Sequence, residues 1–305
     1  MGCPARNAGA EITPTEPDLV STSEGIVMTT LDLSIPPQLL RERVPLVQCI
    51  TNTVVQQFSA NVLLAAGASP AMLDHEADAA QFARIADGLL VNLGTATNHQ
   101  LLAADAATAA AAQAGTPWVL DPVSYGAVDF RTQHIARLAR SGPACIRGNA
   151  SEIAALAGHG AGGRGIESTD EVDAVLDAAV QLAQQTGAIV AVSGARDAIV
   201  HLAPDQGRVR IARVGDGSPL MPLVVGTGCS LGALTAAYLG AGGDDPFASV
   251  AAAHAHFAAA GAQAARVSQG PGSFAVAFVD ALHAVTAQQI AAVDVTAHDH
   301  EGVLA

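Results

Sequence analysis

From residue 46 onward, short, mainly apolar runs alternate with longer alanine-rich segments, and this alternation restricts the fold more than any other feature. Leu46–Ile50, Leu89–Leu93, Trp118–Leu120, Ala144–Ile146 and Ala188–Val192 read as strands buried on both faces. Between them the pattern predicts helices around Val54–Ala66, near Glu76–Ala86, over Asn98–Ala114 and from about Asn149, with a break at Gly67–Pro70. Ser168-Thr-Asp-Glu171 reads as a capping box before an amphipathic helix with Val172, Val175, Leu176, Ala179 and Leu182 on its apolar face. Ile199–Leu202 and Arg208–Arg213 read as a hairpin around Asp205-Gln-Gly207, and three helices finish the chain. The predicted architecture is α/β, a largely parallel central sheet with helices on both faces. Ligands of such sheets bind beyond the carboxyl ends of the strands, so the chemistry is sought there.

Residues 1–35 are polar, with Pro and Thr and no apolar h-region, and read as a loose extension rather than a signal peptide. Residues 36–305 read as one domain, with no internal repeat or linker. Leu223–Gly243 is uncharged and long enough to span a bilayer, but its six glycines argue against a transmembrane helix.

All 14 basic residues are Arg, and Lys is absent. A Walker A lysine and a lysine Schiff base are therefore excluded. Any bound phosphate must be held by Arg, backbone N–H groups, a helix N-terminus or a metal ion. The formal net charge of −14 argues against nucleic acid and anionic membrane surfaces. Cys3, Cys49, Cys145 and Cys229 are widely spaced, with no C-x-x-C pair, which suits a reducing cytoplasm.

The strand ends carry the candidate chemistry, and each has a plainer reading beside it. Asp121, in WVLDP, reads equally as a Mg²⁺ carboxylate or as the cap of an Asp-Pro turn. In CIRGNASE, Asn149 and Glu152 have capping-box spacing, but Arg147 at a strand end needs an anionic partner. Ser193, in AVSGARD, reads as a hydrogen-bond donor to phosphate or as part of a β-turn. Gly226-Thr227-Gly228 opens a helix as an anion hole or as a tight turn. Cys229 in that first turn is expected to have a thiol lowered by the helix dipole, or to be a small buried residue. Asn52 reads as a ligand contact or an N-cap, and Met72 as a pocket wall or a gap-filler. The histidines form no H-E-x-x-H; His254 and His256 do not share a helix face, and His298 and His300 fall in a terminal tail.

Taken in order, PLVQCITNTVVQQFSANVLLAAGASPAM (45–72), GLLVNLGT (88–95), PWVLDPVSYGA (117–127), CIRGNASE (145–152), AVSGARD (191–197) and VVGTGCSLGAL (224–234) resemble the hydroxyethylthiazole kinase family of the ribokinase-like fold. The resemblance implies transfer of phosphate from ATP, with Mg²⁺, to the hydroxyl of 4-methyl-5-(2-hydroxyethyl)thiazole in thiamine salvage. It implies that Arg147, Ser193 and Asn149 meet ATP, that Asp121 and Glu152 hold Mg²⁺ and phosphate, and that Met72, Gly226 and Asn52 meet the thiazole. It sets Thr227, Gly228 and Cys229 at the reacting centre, and implies a homotrimer with the pocket at the subunit interface. Two features depart from the family pattern: Ser124-Tyr125, where Gly or Ala is usual, and Ala195-Arg196. Another ribokinase-like alcohol kinase, or a non-catalytic nucleotide-responsive protein, are the alternatives.

Overall fold

The computed structural model describes residues 26–159, 171–203 and 207–301. Its elements in chain order are β1 (Ile26–Thr29), α1 (Ile35–Arg43), β2 (Leu46–Ile50), α2 (Gln56–Ala66), β3 (Ser69–Ala71), α3 (Glu76–Ala83), β4 (Gly88–Asn92), α4 (Asn98–Ala114), β5 (Trp118–Asp121) and α5 (Asp129–Ala139). There follow β6 (Cys145–Asn149), α6 (Ala150–Leu156), α7 (Glu171–Ala174), α8 (Leu176–Thr186), β7 (Ile189–Ser193), β8 (Asp197–Ala203) and β9 (Arg208–Val214). The chain then runs through α9 (Thr227–Gly240), α10 (Pro246–Val267), α11 (Pro271–Ala284), α12 (Ala287–Ala291) and β10 (Val295–Glu301).

Among the described residues the strands form one sheet in the order β1-β10-β9-β8-β7-β6-β5-β4-β2-β3. From β7 to β3 every pairing is parallel, and from β7 to β1 every pairing is antiparallel. Alternate residues of the buried strands face opposite sides. Leu90, Val119, Cys145 and Ile189 join one core with α1, α2 and α9–α12. Leu89, Val91, Leu120, Ile146 and Val190 join the other, beneath α3–α8. The path therefore changes face between α2 and α3, and β3 and β4 lie on opposite sides of β2. That is a topological switch, where the strand ends of β2 and β4 part to leave a crevice.

Small residues seat the far end of α9 against the start of β4, opposite this crevice. A Cβ on Gly88 would stand 2.4 Å from the Ala236 carbonyl oxygen, and one on Gly240 would stand 2.7 Å from that of Asp87. Only glycine permits so close an approach of helix to strand. The amino end of α9 is carried across the carboxyl ends of the central strands as a result.

Four elements differ from expectation. Ile26–Thr29, in the stretch read as an extension, is a strand paired antiparallel with β10, and the residues read as a terminal tail form β10 itself. Ser69–Ala71, read as a break, is the short edge strand β3. The helix expected after Ser168 is divided at Val175 into α7 and α8. Ser168, residues 204–206 of the hairpin turn, and Cys3 lie outside the described residues.

Candidate active site

The ends of neighbouring strands β2, β4, β5, β6 and β7 bring Asn52, Asn92, Asp121, Arg147 and Ser193 into one row beneath the start of α9. Register fixes the row: Asn92 is level with Asp121, and Asn149 is level with Ser193.

Arg147 is buried and links three elements. Its Nη1 donates to the Gly228 carbonyl at 3.0 Å, and its Nη2 donates to Ser193 Oγ. Its Nη1 also stands 3.7 Å from Asp121 Oδ2, the anionic partner that a buried strand-end Arg requires. Ser193 Oγ donates in turn to the Gly148 carbonyl at 3.3 Å. Asp121 Oδ2 is enclosed and makes no hydrogen bond. Burial pushes the Asp121 carboxyl up to about 7; Arg147 pulls against this and Glu152 adds to it.

Asn149 caps α6: its Oδ1 accepts from the Glu152 N–H, while Glu152 Oε2 accepts from the Asn149 N–H, both at 2.9 Å. Glu152 Oε1 accepts from the Ser124 N–H at 2.8 Å. The cap is thus real, and it also turns the Glu152 carboxylate toward Asp121, whose charge it perturbs.

Gly226 is the N-cap of α9, with φ of 96°, in the left-handed region that suits glycine. Thr227 serves the turn: its Oγ1 donates to the carbonyls of Met221 and Val224 at 2.8 and 3.1 Å. The N–H groups of a helix's first turn lack partners within the helix and carry the positive end of its dipole. Here they face the strand-end row.

Cys229 does not behave as its position alone suggests. Burial raises its thiol and the Asp121 charge raises it further, against smaller lowering effects from Asn92, Asn52 and Arg147. Desolvation and a neighbouring carboxylate outweigh the helix dipole. Its Sγ accepts from Asn52 Nδ2 at 3.3 Å.

Met72 lies just past β3, half-buried against the core that α9 shares. No bond joins it to the row within this chain, so the structure brings together the other predicted positions and leaves Met72 at the margin. Tyr125 packs against the α3–α8 core, and Ser124 takes a left-handed φ of 56°, a conformation uncommon outside glycine. Arg196 is engaged by Asp294 Oδ2 at 3.2 Å and Thr296 Oγ1 at 3.3 Å, away from the row. His254 is buried against Asp197 at 2.6 Å, and His256 against Tyr238 at 2.9 Å, both as structural side chains.

Asn92 is the member of the row that motif reading missed. It stands within GLLVNLGT but inside the expected strand Leu89–Leu93, where a polar residue reads as incidental. The signal was there: a lone amide ending an otherwise apolar run.

An open α/β sheet with a carboxylate, an arginine and a helix N-terminus gathered beyond its parallel strand ends is the ribokinase-like fold with a site built for an anion. A solved pyridoxal kinase from Staphylococcus aureus, in complex with AMP-PCP and pyridoxal, shares that fold at a TM-score of 0.51 and 15% identity, over 72% of this chain and 88% of its own. The chain belongs, more narrowly, to the hydroxyethylthiazole kinase family, whose model matches residues 38–288. It is 56% identical to the hydroxyethylthiazole kinase of Corynebacterium glutamicum (strain R), over 83% of this chain and 93% of that one. It is 52% identical to that of Klebsiella pneumoniae subsp. pneumoniae, over 80% and 92%. The structure of hydroxyethylthiazole kinase from Pyrococcus horikoshii OT3 superposes with a TM-score of 0.78 at 32% identity, covering 87% of this chain and 98% of that one.

Proposed function

We propose that this kinase transfers the γ-phosphoryl group of ATP to the hydroxyl of 4-methyl-5-(2-hydroxyethyl)thiazole, as a step of thiamine salvage. The observation that carries the reading is Arg147, buried and held at once by Asp121, the Gly228 carbonyl and Ser193 under the α9 N-terminus.

Phosphoryl transfer asks a protein for positioning and for offsetting charge. Arg147 supplies the cation that other kinases take from lysine, which this chain lacks. The first-turn N–H groups of α9, beginning at Gly226-Thr227-Gly228, supply a preorganised anion site. Ser193 and Asn149 flank the nucleotide side, and Asn52, Gly226 and Met72 flank the alcohol side. The raised thiol of Cys229 is a poor thiolate, so its role is to position the alcohol; in a loose transition state the alcohol proton leaves late and a strong base is not required.

Asp121 and Glu152 are the residues that would hold Mg²⁺. An enclosed carboxylate oxygen without a hydrogen bond is a fitting ligand for a hard cation, and Asp121 Oδ2 is one. Among the described residues no three His, Cys, Asp or Glu side chains form a metal cluster. Mg²⁺ in nucleotide sites needs only one or two carboxylates, since phosphates and water complete its shell. When bound, the ion neutralises phosphate charge.

The working form we propose is a homotrimer with the alcohol pocket shared between subunits. Among the described residues, one open cleft lies between α2 and α11, at Asn61, Leu64 and His283, and another at Thr53, Asp74 and His99, beside Asn52. Among the described residues β3, which leads to Met72, is an edge strand, and Leu64 and Val225 are exposed, so the chain has unpaired backbone and apolar area for a neighbouring subunit to cover. We assign the enzyme to the cytoplasm, where the free Cys49, Cys145 and Cys229 stay reduced. Among the described residues no helix is long and apolar enough to cross a membrane.

A coupled ADP-release assay across a panel of alcohols tests the reading. The thiazole alcohol should give the highest kcat/KM. A pyrimidine alcohol ahead of it would make this a different salvage kinase, and ATP binding without turnover on any alcohol would make it a binding protein.

A further inference from the structure

Asn92 ends β4 at the switch point, between Asn52 on the β2 side and Asp121 on the β5 side. It is 1% exposed. Its Oδ1 accepts two N–H groups, from Asn52 Nδ2 and from the Gly94 backbone, both at 3.1 Å. Those two donors fix which way the carboxamide is turned, because an amide oxygen accepts and an amide nitrogen does not. Nδ2 is thereby directed away from them. It is enclosed and completes no hydrogen bond, on a residue that stands level with Asp121 across the β4–β5 pairing and is joined through Asn52 to Cys229. Gly94 closes over the pair: a Cβ there would stand 3.0 Å from Asn52 Cβ and 3.2 Å from Asn92 Oδ1. The Gly94 carbonyl is itself held by Arg131. The amide is clamped from outside, with one donor left over on the side of the reacting groups.

We propose that Asn92 is a positioning residue for phosphoryl transfer. Its oxygen holds Asn52, and through Asn52 the Cys229 thiol, on the alcohol side. Its free N–H is the donor that meets the Asp121 carboxylate, on the phosphate side, when the substrates assemble. One side chain thus sets the spacing of the two halves of the site. A buried donor without a partner is costly to keep and is retained where a second state satisfies it.

The role rests on the proposed kinase reaction and is tested separately from it. Asn92→Asp keeps the two acceptor bonds and the size of the side chain but removes the donor; Asn92→Ser is too short to reach both sides. Both full-length variants are compared with the parent for thermal midpoint, for calorimetric binding of ATP and of the thiazole alcohol, and for turnover. We expect Asn92→Asp to bind the alcohol as the parent does and to lose about 10- to 100-fold in kcat, as loss of an outer partner of a working carboxylate does. We expect Asn92→Ser to lose kcat and also to bind the alcohol more weakly, since Asn52 is released. The proposal is overturned if a folded Asn92→Asp turns over within about threefold of the parent, or if kcat and the affinities for both ligands fall together by the same factor. It also fails if neither variant folds, for Asn92 is then a determinant of the fold alone. A parent that itself shows no turnover overturns the proposed reaction instead.

Discussion

Arg147 Nη1 and Asp121 Oδ2 stand 3.7 Å apart with their side chains only 8% and 3% exposed, an ion pair in the interior that stops short of a hydrogen bond. The guanidinium is held back by its bonds to the Gly228 carbonyl and to Ser193. The carboxylate gains the attraction of the pair without the full contact that offsets its desolvation. A buried charge kept under-satisfied belongs to a site that waits for further charge, and this pair is the centre of the account.

Asp121 therefore couples function against stability. The folded protein keeps its proton up to about pH 7, whereas the unfolded chain releases it near the ordinary 3.8. Its contribution to stability is present below 3.8 and is lost as pH rises through about 7. Without divalent cation, the parent should lose more stability between pH 4 and pH 8 than Asp121→Asn does, although the variant, which leaves Arg147 without its anionic partner, starts from a lower midpoint. The same variant should have no measurable turnover. Thermal melts at the two pH values, beside an ADP-release assay, check both halves.

Arg147→Lys keeps the charge but cannot span the Gly228 carbonyl, Ser193 and Asp121 together. We expect the fold to survive and kcat to fall by about 10²-fold, the usual loss when a preorganised donor to developing charge is removed. Steady-state kinetics at saturating ATP distinguish this from a simple rise in KM.

The two glycines before Cys229 should separate fold from chemistry. A Cβ on Gly226 would lie 2.9 Å from Val55 Cγ1 and 3.1 Å from Phe58, at a φ of 96°. Left-handed strain and overpacking together should cost Gly226→Ala about 2–4 kcal/mol of stability. A Cβ on Gly228 would lie 3.4 Å from Arg147 Nη1, an ordinary contact. Gly228→Ala should fold normally and lose turnover because its methyl group occupies space beside Arg147 that the phosphate needs. Urea titration and kinetics on the pair test this division.

Cys229→Ser should retain measurable activity, within about 10- to 100-fold of the parent, because the thiol is a raised, hydrogen-bonded group rather than an obligatory base. Loss as complete as that of Asp121→Asn would return Cys229 to the chemistry.

The parallel half of the sheet was legible because strands buried on both faces are mostly apolar runs, so β2, β4, β5 and β7 stand out and β6 shows as Cys145-Ile146, and the polar residues at their ends mark the row. The margins were not. β3 is three residues at an edge with half-buried side chains, too short for any period to show. In β10 the inward positions include Asp299, 7% exposed, which breaks the apolar alternation and makes the strand read as a tail. The motif at Gly226–Cys229 pointed to the helix N-terminus, but the sign of the Cys229 shift depends on Asp121, which only the fold brings beside it. Asn92 was hidden for a similar reason: its meaning lies in the register that sets it between Asn52 and Asp121.

The central claim, phosphate transfer to the thiazole alcohol across the Arg147–Asp121 pair, is tested most directly by mass measurement of that alcohol after incubation with ATP and Mg²⁺. The account predicts one phosphoryl group gained per ADP formed, by the parent and not by Asp121→Asn. An unchanged alcohol, with ATP either untouched or cleaved to free phosphate, would contradict it.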